Sequence, residues 1–112
     1  MGGEVAQTAH GVGNTVQPRV RKRRWCFTLN NHTDEELAQI HKGFGTAKYI
    51  MGDEIGANGT RHVQGYVEFK NPRSLSALKK TCKRAHWEPA RGNRKDNQTY
   101  CSKEKVIVCT LP

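Results

Sequence analysis

The pair Asn58-Gly59 stands between two stretches of alternating character, "AKYIMGDE" at 47–54 and "HVQGYVEFK" at 62–70. Asn-Gly readily adopts the left-handed backbone of a tight turn, and alternation on either side marks strands. The two stretches are therefore expected to pair as an antiparallel hairpin. That pairing brings the Glu54 end of one strand to the His62 end of the other. Within the second strand Val63, Gly65 and Val67 share one face, while His62, Gln64, Tyr66 and Glu68 share the opposite one. A polar, solvent-facing edge accounts for a histidine and a glutamine side by side. So does a metal or substrate site.

The same reading extends to the flanks. "WCFTLNN", 25–31, reads as a strand with Trp25, Phe27 and Leu29 on one face and Cys26, Thr28 and Asn30 on the other. "HTDEELAQIHKGFG" follows as a short helix: Thr33 is its N-cap, Glu36 completes a capping box, Leu37 and Ile40 form the apolar stripe, and Gly43 ends it. After Asn71-Pro72, "SLSALKKTCK" has Leu75, Leu78 and Cys82 at helical spacing. "AHWEPAR", 85–91, is a fourth strand, "KDNQTYCSKE", 95–104, a short polar helix, and "VIVCTL", 106–111, a closing strand. The order βαββαβ plus one helix and one strand predicts an α+β fold, an antiparallel sheet with helices packed on one face.

A chain of 112 residues has room for one domain with a modest core. Nineteen Lys and Arg against ten Asp and Glu leave +9, which favours a polyanionic partner: nucleic acid first, an anionic membrane surface second. No apolar run approaches the roughly 20 residues of a membrane span, and no secretory apolar segment follows Met1. Cys26, Cys82, Cys101 and Cys109 form no C-x-x-C pair and no zinc spacing, so they read as reduced thiols of a cytosolic or nuclear protein. Residues 1–18 lack periodicity and are expected to be a flexible arm. "RVRKRR", 19–24, suits a solvated tail, phosphate contacts or nuclear import. There is no G-x-x-x-x-G-K-[ST] phosphate loop, hence no expectation of ATP hydrolysis.

Two constellations carry chemistry. If the hairpin forms, Glu54, His62 and Gln64 bring a carboxylate, an imidazole and an amide oxygen to one sheet face. Such a set suits Mg²⁺ or Mn²⁺ better than zinc and leaves positions open for substrate oxygens. Tyr100 has Lys103 three residues on, and so on the same face of the expected helix. A phenol beside a metal-bound phosphate or a lysine becomes a usable nucleophile. The same tyrosine also serves as the anchor of a helix with few other apolar residues.

"WCFTLNN", "HVQGYVEF" and "YCSKE", in this order and spacing, resemble the three rolling-circle motifs of replication-associated (Rep) proteins of circular single-stranded DNA viruses, circoviruses above all. The similarity runs from about Arg23 to Glu104, with a "GDE" step at 52–54 and "HWEPARG" resembling the family's fourth strand. The resemblance implies an HUH endonuclease domain over 19–112, on a ferredoxin-like (HUH/RRM-like) antiparallel sheet. It implies Glu54, His62 and Gln64 as ligands of Mg²⁺ or Mn²⁺; Gln64 replaces the second histidine of the class name, as is common in circovirus-like members. Tyr100 corresponds to the nucleophile that nicks DNA and stays linked to its 5′ end, with strand joining as the reverse step, and Lys103 to a lysine that orients metal or phosphate. Arg23, Arg24, Trp25, Cys26, Thr28, Asn30 and Asn31 fall in the region that contacts single-stranded DNA at a stem-loop origin. Also implied are a helicase domain beyond this segment, an oligomeric full-length protein, a monomeric isolated domain, no membrane and a site of action in the host nucleus. The alternative is a non-catalytic RRM-like module that stacks bases on Trp25, Phe27 or Tyr66.

Overall fold

The computed structural model describes residues 16–112. In chain order these form β1 (Arg21–Asn30), α1 (Asp34–Phe44), β2 (Lys48–Ile55), β3 (Arg61–Ser74), α2 (Leu75–Thr81), β4 (His86–Pro89), α3 (Arg94–Cys101) and β5 (Lys105–Cys109). The strands make one sheet in the order β4-β1-β3-β2-β5, and every pairing is antiparallel. The expected hairpin is present. Gly59 takes a φ of 89° at the turn, and Glu54 lies directly opposite His62.

Alternation decides which side of the sheet becomes core. Trp25, Phe27, Leu29, Tyr49, Met51, Val63, Val67 and Phe69 project to one side, where Ile40 and Phe44 of α1 and Leu78 of α2 cover them. Full burial of side chains of this size contributes about 1.5–3 kcal/mol each, which makes this face the main source of stability. Gly65 lies opposite Phe27, and a Cβ there would come within 2.1 Å of the ring. The aromatic side chain therefore rests on bare backbone.

The helices do not all pack on one face. α1 and α2 do, but α3 lies on the other side, where Cys101 packs with Cys26, Ile50 and Tyr66. The helix has no apolar stripe to direct it into the main core. It is seated instead by backbone proximity and a buried amide. A Cβ on Gly52 would stand 1.8 Å from the Cys101 carbonyl oxygen, so only glycine lets β2 and the end of α3 approach this closely. Asn97 is 1% exposed, and its Oδ1 accepts from the Cys26 thiol at 3.1 Å.

Several boundaries differ from expectation. β1 begins at Arg21, so most of the basic run is strand: Arg21 and Lys22 pair with Ser74 and Arg73 beyond an irregularity in the register. β3 accordingly runs through Pro72. α1 ends at Gly45 rather than Gly43; Gly45 has a φ of 57° and its N–H donates to the His41 carbonyl. Gly43 instead gives Thr81 room, since a Cβ would lie 2.6 Å from its methyl group. α3 ends at Cys101, which leaves Lys103 outside the helix. Of the expected flexible arm, residues 1–15 lie outside the described residues; Val16 packs against the core and the Pro18 carbonyl accepts the Ser76 N–H at 3.3 Å. None of the four cysteines forms a disulfide among the described residues, and three are buried. No helix among the described residues is long and apolar enough to cross a membrane.

Candidate active site

Strand register builds the site. Glu54 faces His62 across the β2–β3 pair and Gly52 faces Gln64, so Glu54, His62 and Gln64 all project to the α3 side of the sheet. The preceding acid, Asp53, points the other way and pairs with Arg61 at 2.6 Å. β1 lies on the other side of β3, with Asn30 opposite His62 and Thr28 opposite Gln64. His62 Nδ1 is 2.5 Å from Asn30 Oδ1, and the Thr28 hydroxyl donates to Gln64 Oε1 at 3.1 Å. A Cβ on Gly56 would come within 2.7 Å of His62 Nε2, so glycine lets the ring lie this close to the backbone.

α3 delivers the second constellation. Tyr100 is half-buried and packs against the cluster of Cys26, Ile50, Tyr66 and Cys101. Lys103 follows in the turn after the helix, its N–H donating to the Tyr100 carbonyl at 3.4 Å. Its ammonium lies 4.9 Å from the centre of the Tyr100 ring and 3.8 Å from Glu54 Oε2. One lysine thus touches both the ring and the carboxylate. Glu104 adds a tether, accepting from the Ile55 N–H at 3.2 Å.

The positions expected to meet DNA separate in space. Arg24 lies on the α3 side, donating to the Gly92 carbonyl at 2.9 Å and to the Tyr66 hydroxyl at 3.3 Å. Arg21, Lys22 and Arg94 line a groove with it, at the end of the sheet away from Glu54. Arg23 lines that groove too, and also borders a second hollow with Lys48, Lys70 and Arg73. Trp25 is 0% exposed in the main core and Cys26 is 4% exposed beneath α3, so neither offers a surface to a DNA strand. Both expected contact residues therefore have their side chains covered. Burial also pushes the Cys26 thiol up to about 12. Phe27 and Tyr66, the other stacking platforms of the binding-module alternative, are buried as well. Asn30 and Asn31 are exposed at the end of β1, where Asn31 adopts a φ of 50°.

Sequence reasoning missed a residue here. Arg84, between α2 and β4, donates to the carbonyls of Asn30 and Asn31 at 3.0 and 3.2 Å while pairing with both oxygens of Glu36. Glu36 was legible as a capping residue and does cap, accepting from the Thr33 N–H. Nothing in the linear sequence links position 84 to position 30.

The donor set fits a hard divalent cation: one carboxylate oxygen, one imidazole nitrogen and one amide oxygen on adjacent strands. Among the described residues no three His, Cys, Asp or Glu gather into a metal-holding group; the expected set counts the Gln64 amide as its third donor. Strand order and the helix laid over the polar face place the domain in the HUH/RRM-like class of α+β folds. Comparison with known proteins narrows the class. A family described as "Putative viral replication protein" matches residues 22–104, and the chain belongs to it: the Rep proteins of circular single-stranded DNA viruses. The chain is 51% identical over 92 residues to the replication-associated protein of Beak and feather disease virus, covering 80% of this chain and 32% of that one. It is 50% identical over 91 residues to the replication-associated protein of Canary circovirus, covering 80% and 31%. To the master replication protein of Subterranean clover stunt virus (strain F) it is 41% identical over 84 residues, covering 75% and 28%. The matched segment is about a third of the length of these relatives.

Proposed function

We propose that this domain nicks and rejoins single-stranded DNA at a stem-loop replication origin, with Tyr100 as nucleophile and Glu54, His62 and Gln64 as holders of Mg²⁺ or Mn²⁺. One observation carries the reading. Lys103 lies within 3.8 Å of Glu54 and 4.9 Å of the Tyr100 ring, so candidate ligand and candidate nucleophile meet at one cation. A bound divalent ion would supply polarisation of the scissile phosphoryl group. Tyr100 attacks phosphorus in line: its oxygen–phosphorus bond forms as the bond to the 3′-oxygen breaks. The phenolic proton passes to solvent and the departing oxygen takes one up. Lys103 brings positive charge to the oxygens on which negative charge develops. The phosphotyrosine keeps the energy of the broken ester, and attack by a 3′-hydroxyl reseals the strand without ATP.

The relatives' names, replication-associated and master replication protein, support a role in starting viral DNA replication; the host nucleus is part of the proposal. The net charge of +9 supports a polyanionic partner. A pure binding module is disfavoured because its stacking rings are buried. The test is incubation of the domain with labelled origin-loop oligonucleotides and Mn²⁺, followed by a denaturing gel. Wild type should form a covalent protein–DNA adduct. Tyr100→Phe should form none while binding DNA within about twofold of wild type, because a single hydroxyl carries little of a charge-dominated affinity. An adduct with Tyr100→Phe would overturn the assignment.

A further inference from the structure

β1 turns two polar side chains toward the strand that carries two of the three candidate ligands. We propose that Thr28 and Asn30 are positioning residues that hold Gln64 and His62 in their metal-binding forms, rather than contacts to DNA. The inference rests on the metal reading above and assigns a function to the first motif.

The His62–Asn30 contact fixes a tautomer. The oxygen of an asparagine amide has lone pairs and no proton, so with Oδ1 facing the ring at 2.5 Å the proton sits on Nδ1. His62 Nε2 then keeps its lone pair. A histidine that binds a metal through one nitrogen generally gives the other N–H to such an acceptor, which orients the ring and raises its basicity. The opposite tautomer would present a proton where the ion must bind.

Asn30 is itself held. Arg84 donates to its carbonyl and to that of Asn31, and the Asn31 N–H donates to the Arg61 carbonyl at 2.8 Å. These bonds close the end of β1 against β3 beside His62. One register step inward, Thr28 bonds Gln64 Oε1. An amide oxygen has two lone pairs, so Gln64 Oε1 can accept from Thr28 on one and keep the other for a cation. Gln64 is 9% exposed, so the bond is shielded from water.

Calorimetric titration with Mn²⁺ in the absence of DNA, paired with oligonucleotide anisotropy in EDTA, separates the two roles. Asn30→Ala and Thr28→Val should each weaken Mn²⁺ binding about tenfold or more, the usual cost of losing a partner behind a ligand. Asn30→Asp and Thr28→Ser keep the acceptor and the hydroxyl and should restore it. All four should bind DNA in EDTA within about twofold of wild type, since none removes a cation that meets phosphate. Nitrogen NMR of the metal-free domain adds a readout independent of the ion. At a pH where His62 is neutral, wild type and Asn30→Asp should show the Nδ1–H tautomer, and Asn30→Ala should shift toward Nε2–H. Normal Mn²⁺ affinity with lost DNA affinity in Asn30→Ala would overturn the proposal in favour of a DNA contact. His62→Ala serves as the reference. If it leaves Mn²⁺ binding unchanged, the metal reading itself fails; if it abolishes binding while Asn30→Ala and Thr28→Val do not weaken it, only the positioning role fails.

Discussion

At Glu36 one carboxylate serves two partners, the cap of α1 and the guanidinium of Arg84. Arg84 holds its carboxyl well down, from the ordinary 4.5 to about 2. A folded value below the unfolded one means a contribution fully present above about 4.5 and lost as the pH falls toward 2. Both groups are partly exposed, so solvent screens the pair and the effect is modest. It has a direction nonetheless. Thermal melts of the domain between pH 5 and pH 2 should fall more steeply for wild type than for Glu36→Gln, which has no proton to gain at that position. Equal slopes would show that the carboxylate adds nothing. The same guanidinium binds the carbonyls of Asn30 and Asn31, so acid should also loosen the strand end beside His62.

Among the elements, α3 is the one whose placement matters most for chemistry and is least supported by apolar burial. It rests on Cys101, the Asn97 amide and the bare backbone of Gly52. Gly52→Ala should push the end of the helix off the sheet, because a backbone carbonyl 1.8 Å from the new methyl group has to move. The expected result is a loss of nicking of a hundredfold or so, consistent with ångström-scale misplacement of a reacting group. Mn²⁺ affinity should change far less, since the ligands sit on β2 and β3. Single-turnover nicking beside Mn²⁺ titration measures both, and an Ala variant that nicks normally would refute the seating. The strands and their faces were legible in the sequence because side-chain alternation is a local property: it placed Trp25, Phe27 and Leu29 apart from Cys26, Thr28 and Asn30, and Glu54 beside His62. The side on which α3 lies was not legible. That depends on one glycine and one buried amide from distant parts of the chain.

For the whole molecule, charge and chemistry occupy different ends of one sheet face. Glu54 and His62 stand at one end, while Arg21, Lys22, Arg24 and Arg94 line the groove at the other. Log affinity for single-stranded DNA should fall with log salt, by roughly 0.7 per phosphate contact. Replacing Arg21, Lys22 and Arg24 with glutamine should flatten that slope while leaving Mn²⁺ binding unchanged, and a salt-independent affinity would contradict the electrostatic reading. Strand transfer is the second test at this scale. A nuclease that activates water leaves a free 5′-phosphate, whereas a phosphotyrosine can be attacked by another strand. Wild-type domain given a cleavable origin strand and an acceptor with a free 3′-hydroxyl should yield the recombined length. Efficient cleavage with hydrolysed ends alone would make Tyr100 a structural residue.

The two faces of β3 have a consequence for how such a gene can change. Val63, Gly65 and Val67 belong to the core side while His62 and Gln64 belong to the site, one residue out of step. Loss of a single codon between 62 and 67 would shift the remainder of the strand by one position and turn it over. Apolar side chains would then face the ion and polar ones the core. A point substitution on the polar face can alter chemistry and spare the fold, but an in-frame deletion cannot change one without the other. In a deep mutational scan, single-residue deletions within 62–67 should therefore survive less often than substitutions at the same positions.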